Sequence, residues 1–184
     1  MSPKNEKLFD ILRKKNIREW NTAEVHGHII EQFLNVEDLI DDLILDFVKP
    51  SKPDTFKKVF LNSSIVTIGA KVKIIANYGV DNKILDKIRR LTNIRNGFSH
   101  SRIHGNIRII LGEVNSDKSR EITTEAESVI SVMNSNGKLE TKNAHDLLQE
   151  FIDTKNELVV LLKAILPKEV IKEAPKRREV PPVE

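Results

Sequence analysis

Hydrophobic residues recur at alternating steps of four and three along residues 22–47, and this spacing predicts the clearest helix of the chain. The stripe consists of Val25, Ile29, Phe33, Val36, Ile40, Leu43 and Phe47. Four more apolar residues widen it, so we expect the helix to pack against more than one neighbour. Asn21 to Glu24 resembles a capping box at its start, and Pro50 follows its end.

The same period predicts three further helices before residue 101 and a short basic helix at the N-terminal end. These cover residues 5–15, residues near 55–61, a stretch from Ser63 or Ser64 to Gly79, and a stretch that begins at Asp81 or Asn82. The connections between them are short, which favours antiparallel neighbours. Residues 22–100 therefore read as an up-and-down helical bundle.

After residue 105 the pattern changes to the two-residue period of a strand. Ile107, Ile109 and Leu111 alternate with other residues, and a turn at Asn134 to Gly137 follows a β-rich stretch. We expect a small β-hairpin or three-stranded insertion at about residues 106–141. Asn143 is then expected to cap a last long helix that ends at Pro167.

The predicted fold class is thus mainly α: an antiparallel helical bundle with a small β insertion before the last long helix. Residues 1–167 are expected to form one domain. Residues 168–184 combine proline and charge without periodicity, so we expect a disordered tail there.

Composition excludes several classes of protein. The 184 residues include no cysteine, which excludes disulfides and thiolate metal sites. No stretch approaches the ~18 apolar residues that span a bilayer, and the first residues, MSPKNEKLFDILRKKN, lack the apolar core of a secretory signal. We expect a soluble cytoplasmic protein with no membrane partner.

Charge is unevenly distributed although the net charge is only +3. Residues 83–108 hold seven Lys/Arg and one acid, a charge of +6, whereas residues 24–47 hold seven acids and no Lys/Arg, a charge of −7. The positive charge of residues 83–108 is what we expect if a polyanion binds this segment. Alternatively the two helices pair, with Asp41, Asp42 or Asp46 meeting Arg89 or Arg90, and both explanations can hold together.

The sequence Arg95-Asn96-Gly97-Phe98-Ser99-His100 is the most informative stretch. Arg95 falls in the apolar stripe of its helix, where a guanidinium must find a partner or face a cleft. An arginine binds two phosphate oxygens with its planar fork, and a histidine takes or gives a proton near neutral pH. Asn96 would orient either group. The alternative without a functional site is that Arg95 and His100 only stabilise the C-terminal end of the helix through its dipole.

In its context, LTNIRNGFSHS resembles the signature of the HEPN superfamily, and residues 20–103 resemble its mannitol operon repressor-like branch. The resemblance implies a helical, metal-independent ribonuclease with its site at a dimer interface. Gly97 departs from the charged residue expected at that place. The non-catalytic alternative implied by the same branch is a regulatory protein that binds a protein partner, and an antitoxin or inhibitor is a further possible partner.

Geometry sets one condition on such a site. On an unbroken helix, His100 would lie about 140° around the axis from Arg95. Gly97 offers a place where the helix can distort so that the two converge, or the pair meets across a two-fold axis. A symmetric dimer would also supply one histidine as base and another as acid.

We therefore expect Arg95, Asn96 and His100 to be catalytic in a toxin-like or defence endoribonuclease that acts on RNA as a homodimer. No cofactor and no metal site is expected. Weaker candidates for RNA binding are Arg89, Arg90, Arg102, His104 and Lys71, of which Lys71 also fits a solvated helix face. His26 and His28 read as surface residues.

Overall fold

The computed structural model describes residues 22–114, 120–133 and 137–167, and for residues 106–114 and 120–126 it describes the backbone only. The helix expected at residues 5–15, the cap at Asn21, the tip of the turn at residues 134–136 and the expected tail all lie outside the described residues.

The described part of the chain is mainly helical. Its long helices are α1 (Thr22–Val48), α2 (Ile68–Asn77), α3 (Asn82–His100) and α4 (Ala144–Ile165). Between α1 and α2, a single α-helical turn at Pro53–Thr55 continues into a π-helical turn at Phe56–Phe60. Pro53 stands in the first turn of this short helical segment, where its missing N–H costs no hydrogen bond.

Three antiparallel strands separate α3 from α4, as the sequence predicted. They are β1 (Ile103–Val114), β2 (Arg120–Met133) and β3 (Leu139–Asn143), in the order β1-β2-β3. Ile103 pairs with Ile130, and Met133 pairs with Leu139. The sheet therefore begins directly after the motif and extends a few residues beyond both expected limits.

Side-chain caps fix where the helices begin. Asp81, one of the two predicted starts of α3, accepts a hydrogen bond from the Lys83 N–H at 2.7 Å, and Asn143 accepts one from the His145 N–H at 2.9 Å, so the cap at Asn143 is confirmed and Asp81 rather than Asn82 caps α3. The prediction that Ser63 or Ser64 caps α2 is wrong, because Thr67 is the N-cap and its hydroxyl accepts from Ala70. The helix starts later because the backbone at residues 62–66 forms turns that return to Asn62.

A continuous apolar core joins all four long helices to β2. The first helix packs against α2, α3 and α4, as its wide stripe predicted, and α3 contacts α1, α2, α4 and β2. Fully buried residues include Ile29, Phe33, Ile88, Phe98 and Phe151. The motif helix α3 is therefore packed against four other elements. Its exposed side carries polar residues such as Arg89, Asn93 and His100.

Candidate functional site

The motif helix α3 runs without a break from Asn82 to His100. Ser101 follows in extended conformation, and its N–H still donates to the Gly97 carbonyl at 3.0 Å. Of the two possibilities for bringing Arg95 and His100 together, a distortion of the helix at Gly97 is therefore excluded. Regular geometry leaves the Cα–Cβ directions of Arg95 and His100 about 140° apart around the axis.

Gly97 instead allows α3 to lie against the sheet. A Cβ atom on Gly97 would overlap Cγ1 of Val132 and stand 3.3 Å from its Cβ. The residue is buried, and no larger side chain fits between α3 and β2 as they stand. The signal was present in the sequence, but a glycine on a helix indicates a distortion and a close approach equally well.

Arg95 is half-buried and stacks on an aromatic ring of α1. Its Cζ atom lies 4.5 Å from the centroid of the Phe33 ring, within the range of a cation–π contact. Its Nε is buried and has no hydrogen-bond partner, and no described carboxylate forms an ion pair with it. Burial lowers the pKa of Arg95, and the negative charge of Glu37 opposes that shift.

Asn96 and His100 lie about 100° and 140° around the α3 axis from Arg95. Asn96 is half-buried and His100 is exposed. They are four positions apart, hence about 40° apart around the axis, so their side chains share one side of the helix. The structure thus brings Asn96 and His100 together and leaves Arg95 of the same chain on the core side.

The two arginines nearest to the start of the basic segment have carboxylate partners. Arg89 pairs with Asp86 at 2.7 Å in the same helix. Arg90 holds Glu150 of α4 with two hydrogen bonds, one of them 2.6 Å long between Nη2 and Oε2. The hypothesis that acids of α1 meet these arginines is therefore wrong for the pairs that the structure describes.

Arg102 and His104 are both exposed beyond the end of α3. They are accessible to a ligand, and they lie on the same stretch of chain as His100.

Both interpretations of Lys71 are wrong, because its side chain lies neither on an accessible RNA path nor on a solvated helix face. Its side chain is 1% exposed, and its ammonium lies 2.8 Å from Glu37 and 2.7 Å from Asp41. Ser63 also donates to Glu37, at 2.6 Å. This buried group of one cation and two carboxylates joins α2 to α1.

The acids of α1 are thus neutralised from α2 and from the short helical segment. Besides the pairs of Lys71, Lys57 binds Asp42 at 2.7 Å and approaches Asp38 at 3.5 Å. Burial raises the pKa of Asp41, although its pairing with Lys71 opposes this shift. The acidic character of α1 therefore serves its packing, and it places Glu37 near Arg95.

His26 and His28 are half-buried, so their interpretation as surface residues is wrong. The Nε2 atom of each ring is buried without a hydrogen-bond partner. The His26 ring meets the edge of Phe98 with centroids 6.5 Å apart, and burial lowers the pKa of His26.

Sequence reasoning did not identify Phe33, Glu37 and Val132 as neighbours of the motif. All three stand in predicted helices or strands at positions that look like ordinary core or surface residues, so no local signal distinguished them.

No protein-family model, no curated protein and no solved structure matches the chain. None of the described helices is both long enough and apolar enough to cross a membrane. Within the described ranges, no group of three or more histidines and acids is placed to hold a metal ion.

Proposed function

We propose that this chain is a HEPN-like endoribonuclease that cleaves RNA as a homodimer, with Arg95, Asn96 and His100 as its site. The observation that carries the proposal is the unpaired guanidinium of Arg95. It is half-buried and stacked on Phe33, and its buried Nε has no hydrogen bond. A cation in that state gains more from binding an anion than a hydrated surface arginine does.

The second support is the position of His100 and Asn96. The imidazole is exposed at the end of α3, and the amide lies on the same side of the helix. In the proposed reaction the 2′-oxygen of a ribose attacks the phosphorus and the bond from phosphorus to the 5′-oxygen breaks. One His100 accepts the proton of the 2′-hydroxyl and delivers it to the leaving 5′-oxygen, and Arg95 balances the negative charge of the phosphate.

The geometry of a single chain makes the dimer part of the proposal. Because α3 is unbroken, Arg95 and His100 of one subunit lie on different sides of the helix. A site that uses both groups is formed most simply by Arg95 of one subunit and His100 of the other. Two such sites would be related by the two-fold axis.

The first test is cleavage of single-stranded RNA in EDTA. We expect the wild-type protein to cleave, and His100→Ala to reduce cleavage by about 100-fold or more, the contribution typical of a proton-transferring group. His145→Ala, at the start of α4, is the matched control and should cleave normally. Equal cleavage by the wild-type and His100→Ala proteins, or none by either, contradicts the proposal.

A mixing experiment tests the shared site. Arg95→Ala and His100→Ala are each inactive in the proposal, but a mixed dimer contains one complete site. Random subunit exchange should restore about a quarter of the wild-type rate, since half of the dimers are mixed and each has one site of two. If the site lies within one chain, mixing restores nothing.

A second candidate function is a non-catalytic regulatory or interaction protein. The observation that favours it is the same separation of Arg95 and His100 along an unbroken helix. In that case expression leaves cell growth unaffected and the purified dimer cleaves no RNA. Growth arrest that His100→Ala relieves would exclude this candidate.

A further inference from the structure

A groove between α2 and α3 lies beside the exposed side of the motif helix. It has a volume of about 310 Å³, and Ile68 and Val72 form its apolar floor. Lys73 stands on the α2 wall, and Arg89 and Asn93 stand on the α3 wall. An apolar base with a few polar groups at the rim is the usual form of a small-ligand site.

The polar groups of this groove fit an anion better than a cation. Lys73 is exposed and forms no ion pair with any residue in the described part of the chain. Arg89 uses Nη1 to bind Asp86 at 2.7 Å, which leaves other N–H groups of its guanidinium to donate. No carboxylate lines the groove. Two cations, one of them also paired with Asp86, therefore line a groove that has no acid in its lining.

The amide of Asn93 and the hydroxyl of Thr92 complete the rim. The Thr92 hydroxyl donates its proton to the Ile88 carbonyl at 2.7 Å, so toward the groove its oxygen can only accept. Asn93 both donates and accepts, as the edge of a nucleobase requires. A flat ring on the floor with a phosphate between Lys73 and Arg89 is a ligand that satisfies all these groups.

The groove is aligned with the proposed cleavage site. Arg89, Asn93, Asn96 and His100 follow one another on α3 within about 60° of the axis. From Asn93 to His100 the helix rises about 10 Å, which a few nucleotides of extended RNA can cover. A strand that leaves the groove along this line reaches His100.

We infer that this groove binds one nucleotide of the RNA, with its base on Ile68 and Val72 and its phosphate between Lys73 and Arg89. That the strand is then cleaved at His100 rests on the proposed function. Binding in the groove does not.

Gly69 provides a variant that fills the groove without harming the fold. A Cβ atom there would meet only the Thr67 hydroxyl oxygen, at 3.9 Å, and leucine is a better helix former than glycine. Gly27 in α1 is the matched control, since a Cβ atom there would have no neighbour within 4 Å. Lys73→Glu and Lys163→Glu form a second pair, with the same charge change in the groove and at the exposed end of α4.

The experiment measures binding of a fluorescent 2′-O-methyl single-stranded RNA, which cannot be cleaved by 2′-oxygen attack. We expect Gly69→Leu and Lys73→Glu to weaken its affinity about tenfold or more, and Gly27→Leu and Lys163→Glu to leave it within twofold. Lys73→Ala should also reduce the dependence of log affinity on log salt concentration by about one, as the loss of one phosphate contact does. Unchanged affinity in both groove variants overturns the inference.

Two further measurements separate the possible outcomes. If adenosine or uridine monophosphate binds the wild-type protein at micromolar concentration and not the groove variants, while both variants bind RNA normally, the groove serves a free nucleotide and the RNA subsite is wrong. If the groove variants lose RNA binding but no protein cleaves RNA, the nuclease proposal fails and the subsite stands. Where cleavage is present, Gly69→Leu should raise KM and leave kcat nearly unchanged.

Discussion

The backbone of Gly97 lies directly against the side chain of Val132, so close that a Cβ atom on the glycine would overlap Cγ1 of the valine. The contact joins α3 to β2 one helical turn before His100. It therefore fixes how the end of the motif helix lies on the sheet, and it gives the glycine a packing role.

Gly97→Ala should destabilise the protein by about 1–3 kcal/mol, since the added methyl overpacks a site that has no space. The same change should cost clearly less in a Val132→Ala background, because the overlap with Cγ1 is gone and only the 3.3 Å approach to the Cβ atom of residue 132 remains. Urea unfolding of the four proteins in this cycle measures both values. A stabilising Gly97→Ala in the wild-type background would show that α3 and β2 are not in contact here.

Lys71→Met should cost about 3–5 kcal/mol, because it leaves Glu37 and Asp41 buried without their cation. Lys57→Met is the matched control. Lys57 also binds an acid of α1, but both partners are about 30% exposed, so its loss should cost no more than about 1 kcal/mol. Equal losses of stability for the two variants would contradict the buried position of Lys71.

The loss in free energy of unfolding that Lys71→Met causes should become smaller as the pH falls. Burial already raises the pKa of Asp41 above its ordinary value, and loss of the ammonium raises it further. A carboxyl whose pKa is higher in the folded state takes up its proton there first, so protonation stabilises the folded variant relative to the unfolded chain. Unfolding measured at pH 7 and pH 5 tests the sign of this difference.

Arg95→Met should leave the stability unchanged or raise it, whereas Arg90→Met should lower it. Arg90 loses two hydrogen bonds to Glu150. Arg95 loses its contact with Phe33, which methionine keeps in part, and the attraction of Glu37, while the cost of a partly desolvated charge disappears. Thermal unfolding compares the two variants. A loss of more than about 1 kcal/mol for Arg95→Met would identify Arg95 as a structural residue.

The wild-type protein should lose stability between pH 7 and pH 5 through His26. Burial lowers the pKa of this imidazole in the folded state, so below the ordinary pKa of histidine the unfolded chain binds the proton more readily. His26→Phe keeps an aromatic ring against Phe98 and should remove this part of the pH dependence. A difference between the two proteins that does not change with pH would contradict the assignment.

Much of the fold could be predicted from local pattern. The 3.6-residue period predicted α1, α3 and α4, the two-residue period predicted β1, and the polar caps at Asp81 and Asn143 predicted two helix starts. These features depend on residues close in sequence, whose spacing alone decides which side of an element is apolar. The start of α2 was predicted too early because Ser63, Ser64 and Thr67 are all possible caps, and only the backbone turns around Asn62 distinguish them.

The candidate site was predictable only in its composition. Arg95, Asn96 and His100 stood out by residue type, but the role of Gly97 depends on Val132, a residue 35 positions away. Lys71 likewise looked like a surface lysine, because its two carboxylate partners lie 34 and 30 positions earlier in the chain. Long-range partners leave no periodic trace in a sequence.

The sequence by itself determined the helical class, the sheet between α3 and α4 and the identity of the motif residues. The tertiary structure alone decided which of these residues are paired, which are exposed and which way they face. The physical reason is that the spacing of apolar residues decides which side of each helix or strand is apolar. Burial and charge pairing depend instead on how the helices and strands pack against one another. For this reason Arg95 faces Phe33 without a hydrogen-bond partner at Nε, while Lys71 is neutralised in the interior.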